Sequence, residues 1–187
     1  MNTLIPAKFS VDAYHKMIAA GALDDRRVEL LNGELIEMPS EGAPHAGFSS
    51  DAGDYLRDLL QGQAKVREGH PITIPQNDSE PQPDLAIVQQ LGEVYDERHP
   101  QPEEVYLLIE FSDTSLEKDL DPKAKLYAAA GIQEYWVVDL RSKVLVVHRT
   151  PSKGRYGLVQ EINSGSISPL AFSNIKVSVE RILKLKR

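Results

Sequence analysis

The stretch VYLLIEF, residues 105–111, decides the fold. Its apolar residues run almost without interruption, whereas a strand with one wet face would alternate apolar and polar positions, so both of its faces are expected to be covered. The stretches DLAIV (84–88) and EYWVVDL (134–140) have the same character. Strands of this kind with helices between them predict an α/β sandwich.

Further elements are predicted on both sides of these three strands. Ser10 precedes an amphipathic helix. The Asn32-Gly33 pair suits the positive φ angles of a tight turn, so residues 28–38 are predicted to form a hairpin. The other predicted elements are a helix over 45–60, a strand over 70–75, strands over 143–150 and 155–162, and a strand end with a short basic helix over 177–187. The chain shows no repeats or long linkers, which predicts one domain over 1–187.

The composition is that of a globular protein. Of the 187 residues, 41% are hydrophobic and 26% are charged, and no apolar run approaches the roughly 18 residues that span a bilayer, which excludes an integral membrane protein. There is no cysteine, which excludes disulfides, thiol catalysis and cysteine-ligated metal sites. The first residues lack the basic-then-apolar layout of a secretory signal, so a cytoplasmic protein is expected.

The net charge of −7 is concentrated in one zone of the chain. Residues 78–121 contain thirteen Asp and Glu against two Lys and Arg. An acidic total argues against a general nucleic-acid coat protein, for which a basic surface is expected. It is compatible with an enzyme that approaches phosphates through metal ions held in an acidic zone. The alternative, that this excess lies in solvated loops, stays open.

Glu110 is the most informative residue of the chain because it ends the central strand. A carboxylate in this position costs several kcal/mol unless a cation or strong donors meet it. A second carboxylate, Asp84, opens a neighbouring strand. Two carboxylates at neighbouring strand ends offer the hard oxygen ligands that Mg²⁺ or Mn²⁺ prefers. The alternative, that Glu110 pairs with a buried arginine or caps the next helix, stays open.

Three lysines follow Glu110 within reach of such a site. A helix is predicted with Asp121 as its N-cap and Pro122 at its first position. At about 100° per residue, Lys123 shares the apolar face of this helix and Lys125 points the opposite way, while Lys118 precedes the proline. Lys123 is therefore the predicted partner of the carboxylates. The alternative is that Lys123 extends its ammonium from the edge of the face to water.

These residues and their surroundings resemble the PD-(D/E)xK nuclease superfamily and, more closely, the Uma2 family, also called DUF820. The matching segments are VELLNGEL (28–35) with Met38, Pro39 and His45, PDL (83–85), IEFS (109–112), the spaced residues Asp119, Lys123, Tyr127 and Gly131, and EYWVVD (134–139). The resemblance covers about residues 10–150. The superfamily motif would place its lysine at position 112, where this chain has serine, and in the relatives it resembles that lysine lies on the following helix, which fits Lys123.

The resemblance implies a restriction-endonuclease-like core, with a mixed central sheet flanked by helices and preceded by a helix and a hairpin. It implies a metal-dependent endonuclease that hydrolyses DNA phosphodiester bonds. Asp84, Glu110 and the Phe111 carbonyl would hold Mg²⁺ or Mn²⁺, and Lys123 would orient the attacking water or neutralise the phosphate. DNA would be the substrate, and a homodimer is expected because such folds often use two sites to cut two strands.

Glu29 and His45 are additional candidate site residues. By the same resemblance, Glu29 is a possible extra acidic ligand, and the alternative is an outward residue of an alternating hairpin strand. His45 lies near the start of the long predicted helix, where it could contact a phosphate or serve as a cap.

Two other functions stay open at this point. One is a non-catalytic module that uses the same fold for dimerisation or protein interaction. The other is a metal-dependent phosphohydrolase of small substrates. The chain has neither GxxxxGK[ST] nor GxGxxG, which argues against a nucleotide-binding version of the second.

Overall fold

The computed structural model describes residues 6–40, 42–113 and 116–185. Its strands are β1 Val28–Leu31, β2 Glu34–Glu37, β3 Lys65–Glu68, β4 Leu85–Val88, β5 Val105–Ser112, β6 Glu134–Asp139, β7 Val144–Ser152, β8 Arg155–Ile162, β9 Ser166–Ile167 and β10 Val177–Ser178. Its α-helices are α1 Val11–Ala19, α2 Ala43–Leu60, α3 Val94–Glu97, α4 Leu116–Lys118, α5 Ala124–Ala129 and α6 Val179–Ile182.

A six-stranded sheet in the order β3-β4-β5-β6-β7-β8 is the centre of the fold. Strands β5 and β6 run parallel, and all other neighbours in this sheet are antiparallel. Leu107 and Ile109 of β5 pack into an apolar cluster that includes α2 and α6. Leu108 belongs to the cluster on the other face, which includes α5. Both faces are covered, which confirms the α/β sandwich.

The N-terminal helix and hairpin form as predicted. The Ser10 hydroxyl oxygen accepts a hydrogen bond from the Ala13 N–H at 3.2 Å and caps α1. Asn32 and Gly33 have φ angles of 50° and 79°, so the turn between β1 and β2 uses the two left-handed residues that its sequence indicated.

The prediction of a strand over 70–75 was wrong. The Ile72 and Ile74 side chains are fully buried, but their N–H groups donate to the carbonyls of Pro81 and Ser79 in loops rather than to a sheet strand. The alternating apolar residues of this segment indicate that their side chains are buried, not that their backbone forms a strand. The edge strand next to β4 is instead the mostly charged segment 65–68, which lacks the pattern of a buried strand.

The prediction that a regular helix begins with Asp121 as its cap was also wrong. Helix α4 leads directly into a π-helical turn, Asp119–Lys123, which leads into α5. Pro122 lies inside this turn. Proline lacks the N–H that an α-helix interior needs, and a single wide turn with displaced hydrogen bonds accommodates it. Gly131, with φ of 80°, follows the end of α5.

The C-terminal strand and short helix are confirmed as β10 and α6, and residues 186 and 187 of that predicted segment lie outside the described residues. Within the described ranges, no helix combines the length and apolar character needed to cross a membrane.

His148 of β7 makes the stability of this fold sensitive to acid. Its ring is buried against Tyr135 and Tyr156, with ring centroids 5.4 and 5.6 Å away. Burial lowers the pKa of His148 below its ordinary value of 6.5. A depressed folded-state pKa gives stability that is present above the unfolded-state pKa and is lost as the pH falls through the folded-state pKa.

We therefore expect the free energy of unfolding to decrease as the pH falls below 6.5. His148→Phe, which keeps an aromatic ring but cannot titrate, should weaken this dependence. Urea unfolding at pH 7.5 and at progressively lower pH measures it, and an identical pH dependence in the two proteins would contradict the assignment to His148.

Candidate active site

Asp84 and Glu110 meet at one end of strands β4 and β5. The antiparallel register sets Leu85 opposite Ile109, which brings the preceding Asp84 beside Glu110. The Asp84 N–H donates to Glu110 Oε2 at 3.4 Å, and the Phe111 N–H donates to Asp84 Oδ2 at 2.6 Å. The structure thus brings together the two carboxylates that the sequence singled out. Phe111 contacts Asp84 through its amide, and the role of its carbonyl stays a prediction.

Lys123 is buried between two carboxylates. Its ammonium lies 2.7 Å from Glu110 Oε1 and 3.3 Å from Glu29 Oε2, and its side chain is 4% exposed. Lys125 is half-exposed and pairs with Asp121. The assignment of these two lysines to opposite faces is therefore confirmed, and the alternative in which Lys123 reaches water was wrong. The cation beside Glu110 is this lysine, not an arginine.

Glu29 is fully buried, so its interpretation as an outward hairpin residue was wrong. All four residues of β1 are buried, with Val28 and Leu30 in a cluster with Tyr14 of α1 and Leu31 in the cluster that includes α5. Besides its ion pair with Lys123, Glu29 Oε2 accepts a hydrogen bond from the Gln82 N–H at 3.2 Å. Glu29 is therefore a second carboxylate partner of Lys123, in addition to Glu110.

Two residues that contribute to this arrangement were not selected from the sequence. The Tyr127 hydroxyl donates to Glu110 Oε1 at 3.3 Å, although Tyr127 was named above only among the spaced residues of the family resemblance. Asp119 is buried and accepts a hydrogen bond from the Ser112 hydroxyl at 2.6 Å. The spacing of Asp119, Lys123 and Tyr127 by four residues was the signal available for both. Ser112, where the superfamily motif has lysine, is thus engaged with Asp119.

Burial dominates the electrostatics of this cluster. It raises the pKa of Glu110 well above its ordinary value, with Lys123 opposing the rise and Asp84 adding to it. Burial alone would lower the pKa of Lys123, but Glu110, Tyr127 and Glu29 together hold it well above the ordinary value, so the ammonium stays charged. Burial also raises the pKa of Tyr127, which therefore remains a donor. The Lys123 ammonium is therefore the charge that favours ionisation of Glu110, against the effect of burial and of Asp84.

His45 approaches the same site from helix α2. Its Nε2 lies 3.1 Å from Asp84 Oδ2. The N-cap position of α2 is taken by Gly42, so His45 is not the residue that caps this helix. Asp84 is the most open of the site carboxylates, with its side chain 20% exposed.

A cavity of about 710 Å³ gives access to these side chains. Asp84, Glu110, Asp119 and Lys123 line it together with His45. Three more lining residues, Arg27, Phe48 and Lys143, come from the start of the hairpin, from α2 and from the β6–β7 turn. Neither Arg27 nor Lys143 is ion-paired with a carboxylate in the described part of the chain. The cavity therefore joins an acidic interior with two cations that have no described counter-charge.

The side chains of this site can be compared with the ligand set that Mg²⁺ or Mn²⁺ requires. Among the described residues, no group of three or more His, Asp or Glu side chains is arranged to hold a metal ion. The adjacent carboxyl groups of Asp84 and Glu110, which line an open cavity, still fit Mg²⁺ or Mn²⁺. Mg²⁺ is usually bound by one or two carboxylates and completes its shell with water and substrate phosphate.

Comparison with known proteins agrees with this fold. A family model described as "Uma2: Putative restriction endonuclease" matches residues 11–180. The chain belongs to the Uma2 family. A solved structure described as "a putative nuclease belonging to DUF820 from Anabaena variabilis ATCC 29413" aligns with 96% of this Uma2 chain and 98% of its own, with a TM-score of 0.68 and 16% sequence identity. No curated protein sequence matches. The predicted family and restriction-endonuclease-like fold are thereby confirmed.

Proposed function

We propose that this Uma2 chain is a divalent-metal-dependent endonuclease that hydrolyses phosphodiester bonds in DNA. The observation that carries this proposal is the buried Lys123 ammonium held 2.7 Å from Glu110, next to Asp84, in a cavity open to a substrate. A purely structural ion pair would not require a second carboxylate or an open cavity beside it. The family description and the nuclease neighbour support the same reaction class.

Asp84 and Glu110, with the Phe111 carbonyl, are the proposed ligands of Mg²⁺ or Mn²⁺. When bound, such an ion lowers the pKa of a coordinated water and stabilises charge that develops on the phosphate. The carboxylates are held for this role by the protein itself. The Phe111 N–H and His45 fix Asp84, while Lys123 and Tyr127 fix one oxygen of Glu110.

Lys123 is the proposed residue that orients the attacking water or neutralises the phosphate. Its position is set by Glu29, which is buried and therefore cannot reach bulk solvent. We assign Glu29 the role of positioning this ammonium rather than contacting substrate. His45 lines the cavity and is the proposed contact for a phosphate oxygen when it is protonated.

The decisive experiment is a cleavage panel on single-stranded, duplex and branched DNA with Mg²⁺ or Mn²⁺, and with chelator as the blank. Glu110→Gln serves as the inactive control. Metal-dependent cleavage by wild type and not by the variant is expected. Hydrolysis of a small phosphodiester without any DNA cleavage would favour the small-substrate phosphohydrolase, and no hydrolysis of any substrate would favour the non-catalytic module.

Arg27 and Lys143 are expected to contact DNA phosphates at the cavity rim, because they are the lining cations without a described carboxylate partner. Arg27→Ala and Lys143→Ala should each weaken DNA binding and reduce the slope of log affinity against log salt by about 0.9. Fluorescence anisotropy in the Glu110→Gln background measures binding without cleavage. Lys8→Ala, an exposed lysine outside the cavity, is the matched control. Equal slopes for all three variants and their parent would contradict these contacts.

A further inference from the structure

Strand β8 has one open edge. It is the last strand of the six-stranded sheet, and β7 is its neighbour on the inner side. Across the described residues, the backbone of 155–162 forms no hydrogen bond outside that ladder. Its outward N–H and C=O groups thus form a row eight residues long that can pair with another strand.

This edge lacks some of the features that usually prevent such pairing. The strand sequence RYGLVQEI contains no proline and no lysine. Its ladder with β7 keeps one register from Leu145↔Ile162 to Ser152↔Arg155, interrupted only at Gly157, which is not paired with Thr150. Leu158 and Val159 are 47% and 55% exposed. As consecutive strand residues they point to opposite faces of the sheet, so an added strand would cover apolar surface on both faces.

The charges at the two ends of β8 identify the partner. We propose that β8 pairs antiparallel with β8 of a second copy of this chain, about a two-fold axis at Leu158. This register sets Arg155 opposite Glu161 of the second copy, and the symmetry forms the pair twice. Both side chains are exposed, and neither is ion-paired within the described part of the chain. Moving the axis to Val159 would set Arg155 opposite Asn163 and lose both pairs.

The same register matches the rest of the strand. Leu158 meets its own symmetry mate, and Gly157 lies opposite Val159, so no like charges face one another. The product is a continuous twelve-stranded sheet across two copies, because each copy contributes six strands. The strand that closes the edge therefore comes from an identical chain, since a self-complementary charge pattern is the requirement of an isologous contact.

The test is a charge exchange followed by analytical ultracentrifugation, without substrate or metal. Arg155→Glu and Glu161→Arg each replace two attractive pairs by two like-charge pairs, and each should weaken the dimer on the order of ten-fold or more. An equimolar mixture of the two variants should restore it, because both charges of one chain are then negative and both charges of the other are positive, so opposite charges face each other twice. Lys176→Glu and Glu93→Arg, which change exposed charges by the same amount elsewhere, should leave the dimer unchanged.

Three outcomes would overturn the proposal. Wild type that stays monomeric at high micromolar concentration excludes the contact. Single variants that dimerise like wild type exclude this register. A mixture of the two variants that remains monomeric excludes the two-fold pairing, provided that circular dichroism shows both variants to be folded. None of these outcomes depends on nuclease activity.

Discussion

Glu110→Gln is expected to lower the rate of metal-dependent DNA cleavage on the order of 10²–10³-fold. The amide keeps the size of the side chain and can still accept the Tyr127 hydrogen bond. It lacks the negative charge that a divalent cation and Lys123 both require. Single-turnover cleavage of the preferred DNA in saturating Mn²⁺ measures the loss directly.

Glu134→Gln is the matched control for this experiment. Glu134 is also a fully buried strand carboxylate in an ion pair, with Arg149 at 2.5 Å, but it does not line the cavity. Its replacement should reduce stability and leave the cleavage rate of the folded protein unchanged. If Glu110→Gln and Glu134→Gln cleave DNA equally well, Glu110 has a structural role alone.

Lys123→Ala is expected to produce the largest loss of stability of the variants considered, about 3–5 kcal/mol in chelator. It leaves Glu29 and Glu110 buried without the ammonium that now pairs with both. Cleavage should also be lost. Lys125→Ala removes only an exposed pair with Asp121 and should be nearly neutral in both respects. Urea unfolding and the same cleavage assay measure the two effects.

Divalent cations should partly rescue the stability of Lys123→Ala, because metal and ammonium neutralise the same carboxylate. At a concentration about 100-fold above its dissociation constant, Mn²⁺ would add about 2.7 kcal/mol to the unfolding free energy of a protein that binds it only when folded. Lys123→Ala/Glu29→Gln, which removes one of the stranded charges, keeps the test possible if the single variant does not fold. Indifference of both variants and of wild type to Mn²⁺ would contradict a metal site at Asp84 and Glu110.

The central sheet could be predicted because its strands carry their own signal. The runs 84–88, 105–111 and 134–140 are apolar enough to require cover on both faces, and they became β4, β5 and β6. Strand β3 could not be predicted in this way, because an edge strand of mostly charged residues has no apolar pattern. The alternation at Ile72 and Ile74 misled because buried loops can alternate as strands do.

The site was predictable to the extent that helix and strand geometry constrain it. Strand ends brought Asp84 and Glu110 together, and helical phase separated Lys123 from Lys125. Lys123 lies on the predicted face although its turn is π-helical. It directly precedes α5, whose apolar face packs on the sheet and so orients the residue before it. Tyr127 could not be recognised as a hydrogen-bond donor from sequence, since a tyrosine on an apolar helix face usually serves the core.

The burial of Glu29 could not be predicted from the sequence, for a different reason. Its hairpin belongs to a separate two-stranded sheet, and what covers that sheet is decided by contacts between distant segments. One of these contacts is the bond from the Gln82 N–H, which joins residues 53 positions apart. The alternation of polar and apolar residues within one strand cannot predict a contact between such distant residues.

Two different elements carry the residues of the candidate site, and one of them is the π-helical turn Asp119–Lys123. Asp84 and Glu110 are fixed by the sheet itself, whereas the ammonium is delivered by a helical segment that rests on it. A one-residue shift of that segment would move Lys123 by about 1.5 Å and rotate it by about 100° without disturbing any sheet hydrogen bond. Such a shift would also break the contacts of Asp119 with Ser112 and of Tyr127 with Glu110. The position of the ammonium thus depends on the register of this helical segment, whereas a lysine at position 112 would be fixed by the strand.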